Sequence, residues 1–157
     1  MYGTIADAGE NCGGTIYRIT TSGEMTRLYS FCSLQNCKDG ADPMGPILQA
    51  TDGSLYGTTY GEGGGGVVYK LALGLAPFVT PLPAFGSSGQ QVSILGNNLT
   101  GATAVSFNGT PAASFTVNST GSAITATVPG GATSGSIQVT LANDTMLTSN
   151  VQFQVLQ

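Results

Sequence analysis

Apolar side chains recur at every second position in short runs along this chain, and glycine, asparagine, aspartate or proline breaks each run. In the C-terminal half the runs are 91–95, 104–108, 113–117, 123–128, 136–141 and 151–156, with a further short one near Met146. A period of two is that of a pleated strand with one buried face. Six or seven such strands, each closed by a turn signal, predict an immunoglobulin-like β-sandwich over 84–157. The N-terminal half carries similar runs at 25–31, 46–50 and 54–59, which follow a Ser22-Gly23 turn, the loop 32–45 and an Asp52-Gly53 turn.

An internal repeat organises that first half. Tyr2-Gly3-Thr4 returns as Tyr56-Gly57-Thr58, and Gly13-Gly14-Thr15-Ile16-Tyr17-Arg18-Ile19 returns as Gly65-Gly66-Val67-Val68-Tyr69-Lys70-Leu71. Both copies read strand, glycine loop, strand. A period near ~50 residues with about four short strands is the signature of a propeller blade. The expected fold is therefore all-β: an incomplete propeller-type repeat over 1–75, about one blade plus a partial one, followed by the sandwich. Between them, three prolines in the stretch 76–83 predict a semi-rigid extended linker. A closed propeller needs at least about four blades. Met1 also runs directly into a repeat element without a signal peptide, so the expectation is a piece of a longer exported protein.

Composition sharpens this picture. Charged residues are 8% of the chain, against roughly 25% in ordinary globular proteins, and 24 of the 157 residues are glycine. Regular alternation excludes low-complexity disorder, so the glycines read as turns between strands. The four cations, Arg18, Arg27, Lys38 and Lys70, all lie in the first half, and Asp144 is the one charged side chain after Lys70. A nucleic-acid surface must neutralise several phosphates with Lys or Arg, which this chain lacks. The same shortage argues against docking on anionic membranes. No apolar stretch approaches the ~20 residues of a spanning helix, so membrane insertion is not expected.

The motifs themselves carry a family resemblance. Gly14-Thr15-Ile16-Tyr17-Arg18-Ile19, Leu28-Tyr29-Ser30-Phe31-Cys32, Asn36-Cys37-Lys38-Asp39-Gly40-Ala41-Asp42-Pro43 and Thr51-Asp52-Gly53-Ser54-Leu55-Tyr56-Gly57-Thr58-Thr59 stand in the order and spacing of the GloVer repeat family. That family comprises glycine-rich repeats of large predicted exported bacterial proteins, and the resemblance covers about residues 1–72. Tyr17 and Tyr69 stand where the family more often has Phe. Val92-Ser93-Ile94-Leu95-Gly96-Asn97-Asn98-Leu99, Val105-Ser106-Phe107-Asn108-Gly109-Thr110, Ile124-Thr125-Ala126-Thr127-Val128-Pro129 and Gly135-Ser136-Ile137-Gln138-Val139 resemble a TIG/IPT domain over about 78–157. The two resemblances imply a secreted or cell-surface location, no enzymatic activity and no cofactor. The expected function is a structural, adhesive or binding module, with a carbohydrate-binding accessory module of an extracellular enzyme as the alternative. The expected partners are other repeats of the full-length chain, self-association through open strand edges, or a glycan.

Candidate chemistry is sparse. There is no His, so a nucleophile would need Lys38 beside Cys37, which lacks an evident third partner. Asp39 and Asp42 could pair as glycosidase carboxylates or, with Asp52, hold Ca²⁺. Asp-Gly and Asp-Pro are also ordinary turn chemistry, which is the preferred reading, and no catalytic or metal site is expected. Cys12, Cys32 and Cys37 leave one thiol over. A Cys32–Cys37 disulfide is favoured over zinc, with unpaired thiols the remaining alternative. The glycine run 63–66 leads into a strand and no helix, unlike a phosphate loop. Sequons at Asn98, Asn108, Asn118 and Asn143 read as turn composition. Tyr17, Tyr29, Tyr56, Tyr60, Tyr69 and Phe31 read chiefly as packing, with Tyr56 and Tyr60 the candidates for stacking on a sugar.

Overall fold

The computed structural model describes residues 1–61 and 65–157. They form two compact units, one of Met1–Ala50 with Ser54–Gly74, the other of Thr51–Gly53 with Leu75–Gln157.

The first unit holds β1 (Tyr2–Ile5), β2 (Thr15–Ile19), β3 (Met25–Ser30), a 3-10 turn at Gln35–Cys37, β4 (Leu48–Gln49), β5 (Leu55–Thr58) and β6 (Val68–Leu71). They make two antiparallel sheets ordered β1-β2-β3 and β4-β5-β6. The repeat maps onto strand pairs: Gly3 faces Tyr17 across β1–β2, and Gly57 faces Tyr69 across β5–β6. Aligned on these pairs, the first sheet has an extra strand beyond β2 and the second has one before β5. Where one four-stranded blade and a remnant were expected, the described residues form two three-stranded sheets. The run 46–50 pairs only over Leu48–Gln49, and no described strand follows β6 in its sheet.

Four apolar residues, Ile16, Phe31, Ala41 and Leu55, are buried in this unit. The loop after β3 returns to the first sheet through backbone bonds, the Phe31 amide donating to Gly14 and the Asp42 amide to Gly13. Further along, the Tyr60 amide donates to the carbonyl of Asp42. A Cβ at Gly14, whose φ is +93°, would run into the carbonyls of Ile5 and Ala6, so only glycine fits where this loop crosses the sheet.

The second unit continues with β7 (Thr80–Leu82), β8 (Phe85–Ser87), β9 (Gln91–Leu95), β10 (Ala102–Phe107), β11 (Thr110–Pro111), β12 (Ser114–Val117), β13 (Ala123–Thr127), β14 (Ile137–Leu141), β15 (Met146–Thr148) and β16 (Gln154–Leu156). Two four-stranded sheets, β11-β10-β14-β15 and β12-β13-β9-β7, enclose the core, and β16 pairs in parallel with β8. Alternation does what it predicts. In β9, Val92 and Ile94 are buried between exposed Gln91 and Leu95, and Ile124 and Ala126 of β13 face the same side. Val105 and Phe107 of β10 and Ile137 and Val139 of β14 supply the opposite wall. Phe107 and Phe153 meet edge to face at 5.1 Å. Thirteen buried residues form this core. At roughly 1.5–3 kcal/mol for each large apolar side chain, burial stabilises the sandwich far more than the first unit.

The segment 76–83 differs from a linker. Val79 is fully buried in the sandwich core, and Thr80–Leu82 pair with β9. Pro81 breaks no ladder because β7 lies at the edge of its sheet, where a missing amide is tolerated. The sandwich therefore begins before residue 84. The last run, expected over 151–156, forms a strand only at Gln154–Leu156, while Phe153 bridges to Gly135 and turns its side chain into the core.

Candidate functional site

The polar chemistry of the first unit gathers in the loop that follows β3. Phe31, at the end of β3, turns inward, and the chain then folds back through the 3-10 turn so that Asp39 reaches Tyr29. The Tyr29 hydroxyl donates to Asp39 Oδ2 at 2.7 Å. The Ser33 hydroxyl and amide donate to the same oxygen at 2.8 and 3.0 Å, and the Leu34 amide donates to Oδ1 at 3.1 Å. Burial by itself would raise the Asp39 pKa. The four donors stabilise the carboxylate and outweigh that effect, holding the group at about 2. Burial, the largest effect, pushes the Tyr29 pKa up; the bond with Ser33 opposes it, and the Asp39 carboxylate adds to the rise. Cys32 and Cys37 are joined as a disulfide with their Cα atoms 4.0 Å apart, closing the loop between Phe31 and Asp39, and Cys12 is a free, exposed thiol.

Beside this loop lies a cavity of about 440 Å³. Residues 67–71 line it together with Ile16, Tyr29, Phe31, Lys38 and Asp39. Its aromatic wall is continuous, since Phe31 meets Tyr29 at 5.2 Å and Tyr69 at 5.1 Å, both edge to face. The Tyr69 hydroxyl is buried with no hydrogen-bond partner among the described residues, and burial pushes its pKa up.

The residues singled out from the sequence fall into distinct places. Tyr56 and Tyr60 do not line the cavity. The Lys70 ammonium sits 5.5 Å above the Tyr56 ring, whereas Tyr60 is 73% exposed just past β5. Lys38 lines the cavity, but Cys37 beside it is spent in the disulfide and offers no thiolate. Asp39 is held by donors upstream of it, at Ser33 and Leu34, and not by the downstream turn its Asp-Gly context suggested. The closed loop brings those amides back to it. Asp42 lies in a left-handed turn, φ 54°, with its backbone bonded to Gly13 and Tyr60. Asp52 lies in the turn Thr51–Gly53 of the second unit. No group of three His, Cys, Asp or Glu side chains among the described residues gathers to hold a metal ion. Of the glycine run, Gly63 and Gly64 lie outside the described residues, and Gly65 and Gly66 lead into β6.

The sequon asparagines of the sandwich include two that hold turns. The Asn118 side chain accepts the amides of Ser122 and Ala123, and Asn108 donates to Thr133 and Ser134. No helix among the described residues is long and apolar enough to cross a membrane.

Comparison with known proteins bears mainly on the second unit. The model of the IPT/TIG domain family matches residues 78–155. No curated protein matches the chain in sequence. Among solved structures, the chain is similar to SGBP-B of the Bacteroides ovatus mixed-linkage glucan utilization locus, solved in complex with a mixed-linkage heptasaccharide. The identity is 19% and the TM-score 0.42, and the match covers 79% of this chain and 34% of that one. The match to the family model begins at Phe78, beside the buried Val79 that opens the sandwich, and ends within β16. Residues 78–155 are an IPT/TIG domain, an all-β immunoglobulin-like module.

Proposed function

We propose that the chain is a non-catalytic binding or adhesive module of an exported bacterial surface protein, in which the IPT/TIG sandwich is a spacer and the GloVer-type repeat unit carries the contact surface. One observation carries this reading: the chemistry is partitioned. Every Tyr, Cys, Lys and Arg precedes residue 71, while 78–157 contains a single ionisable side chain, Asp144. Recognition through charged or phenolic side chains can draw on them in number only in the first unit. The Cys32–Cys37 disulfide supports an oxidising, extracellular setting. The test is pull-down of the full chain on intact cell envelopes and on extracellular polymers. Equal capture by the full chain and by a Tyr60→Ala, Lys38→Ala variant would place the contact surface elsewhere.

A second reading, a carbohydrate-binding accessory module, is favoured by one feature. The Tyr60 ring is presented to solvent with 73% of the residue exposed, as a face for stacking on a sugar would be. Glycan-array binding that falls on Tyr60→Ala, and less on Tyr56→Ala beneath Lys70, is its expected result. An array on which the unaltered chain binds nothing removes it.

A further inference from the structure

We infer that the outer edge of β6 is a docking slot for an extended polypeptide strand of the β3 sequence type, bound antiparallel. This goes beyond the reading above by naming a partner chemistry, and it does not depend on glycan binding at Tyr60.

The internal repeat supplies the argument. β2 and β6 are equivalent, with Ile16, Tyr17, Arg18 and Ile19 corresponding to Val68, Tyr69, Lys70 and Leu71. Each pairs on one side with a Tyr-Gly-Thr strand in the same register. On its other side β2 pairs with β3, Ile16 opposite Tyr29 and Arg18 opposite Thr26. β6 ends its sheet, and no described strand takes the equivalent place. The consequence shows in burial: Ile16 is 1% exposed and Val68 is 77% exposed. The same apolar position is covered in one copy and open in the other.

Backbone direction agrees. The Val67 carbonyl accepts from the Thr59 amide, so Val67 faces β5. In an antiparallel strand successive residues point their polar groups to opposite sides, so Val68 directs its amide and carbonyl away from β5, as Ile16 does toward β3. The cavity of about 440 Å³ is lined by the whole of 67–71, so there is room along this strand rather than a packed wall. An edge strand with outward-facing amides beside open space is the setting for β-augmentation, where backbone bonds give affinity and alternate side chains give register. The occupant that fits carries an aromatic opposite Val68 and a small polar residue opposite Lys70, in the manner of Tyr29 and Thr26 on β2.

The probe is a labelled peptide of residues 24–31, Glu-Met-Thr-Arg-Leu-Tyr-Ser-Phe, titrated into the full chain by fluorescence anisotropy, with amide exchange followed by NMR. Saturable binding that slows exchange at Val68 is the expected result, with a scrambled peptide at least about tenfold weaker. Val68→Pro removes an amide that β5 does not use, so it should keep the fold and lose binding. If its melting shows that it does not fold, Val68→Lys, which leaves the backbone intact but charges the edge, takes its place. Absence of saturation at millimolar peptide overturns the inference. So does unchanged binding in the folded edge variant, or equal affinity for the scrambled peptide.

Discussion

Tyr69 stands directly across β5–β6 from Gly57, with its ring over the glycine, so that a Cβ there would overlap the phenol. Tyr17 stands over Gly3 in the same way across β1–β2. This explains why the two repeated blocks travel together in the chain: the glycine of one block is the floor on which the tyrosine of the other lies. It also explains why a larger residue is not interchangeable with Gly3 or Gly57.

Gly57→Ala should therefore force the partly buried Tyr69 ring aside. Overpacking of this kind costs about 1–3 kcal/mol. Chemical denaturation followed by tyrosine fluorescence measures the first unit, since all six tyrosines lie there. A midpoint unchanged by Gly57→Ala would show that the ring has somewhere else to go.

The two cavity tyrosines should answer differently to loss of their hydroxyls. Tyr29→Phe removes a donor to the Asp39 carboxylate and should destabilise the first unit by roughly 1.5–3 kcal/mol, the worth of a hydrogen bond to a charged group. Tyr69→Phe removes a buried hydroxyl without a partner among the described residues, so it should be neutral or stabilising. Equal losses in the two variants would contradict the bonding described.

The pH dependence follows from the same groups. Asp39 sits at about 2, below the usual carboxylate value near ~4, so its contribution to stability is present above pH ~4 and fades as pH falls toward 2. Tyr29 and Tyr69 are shifted upward, so their contribution is full below pH ~10 and is lost as pH rises beyond it. The sandwich, with Asp144 as its single ionisable side chain, should melt at nearly one temperature across that whole range. Differential scanning calorimetry from pH 2 to 11 should show one transition that moves at both ends and one that does not. Asp39→Asn should flatten the acid limb of the first.

Val79→Ala tests where the sandwich starts. The side chain is fully buried among the sandwich core, so truncation should cost the second unit about 1–3 kcal/mol and leave the first unit's transition in place. A shift confined to the first transition would return 76–83 to the status of a linker.

How much of this was legible beforehand depends on whether a feature is local. Alternation located β9, β10, β12, β13, β14 and β15 to within a few residues, because burial of every second side chain is written into each run. β8 left no such trace. Three residues, Phe85–Ser87, show no period, and they are a strand only because β16, distant in the chain, lies alongside. Of the segment with prolines at 77, 81 and 83, Thr80–Leu82 forms a strand, but proline specifies backbone shape and not burial. The fate of Val79 was settled by the core it enters.

The candidate site divides along the same line. Repeat spacing, the position of the cations and the nearness of Cys32 to Cys37 are properties of the chain as written, and they suffice to say where chemistry concentrates. Identical positions in a repeat nevertheless acquire different environments, because exposure depends on the neighbour a strand receives. Ile16 is buried on a strand flanked by β3, and Val68 is exposed on a strand at the edge of its sheet. Asp39 gains its four donors only when the loop closes and returns Tyr29, Ser33 and Leu34 to it. The sequence alone therefore determined the strands that alternate and the half that holds nearly all the charged and phenolic side chains. The tertiary structure alone decided which edge is left open, which hydroxyl is left without a partner and where the sandwich begins, since each of these depends on pairings between residues far apart in the chain.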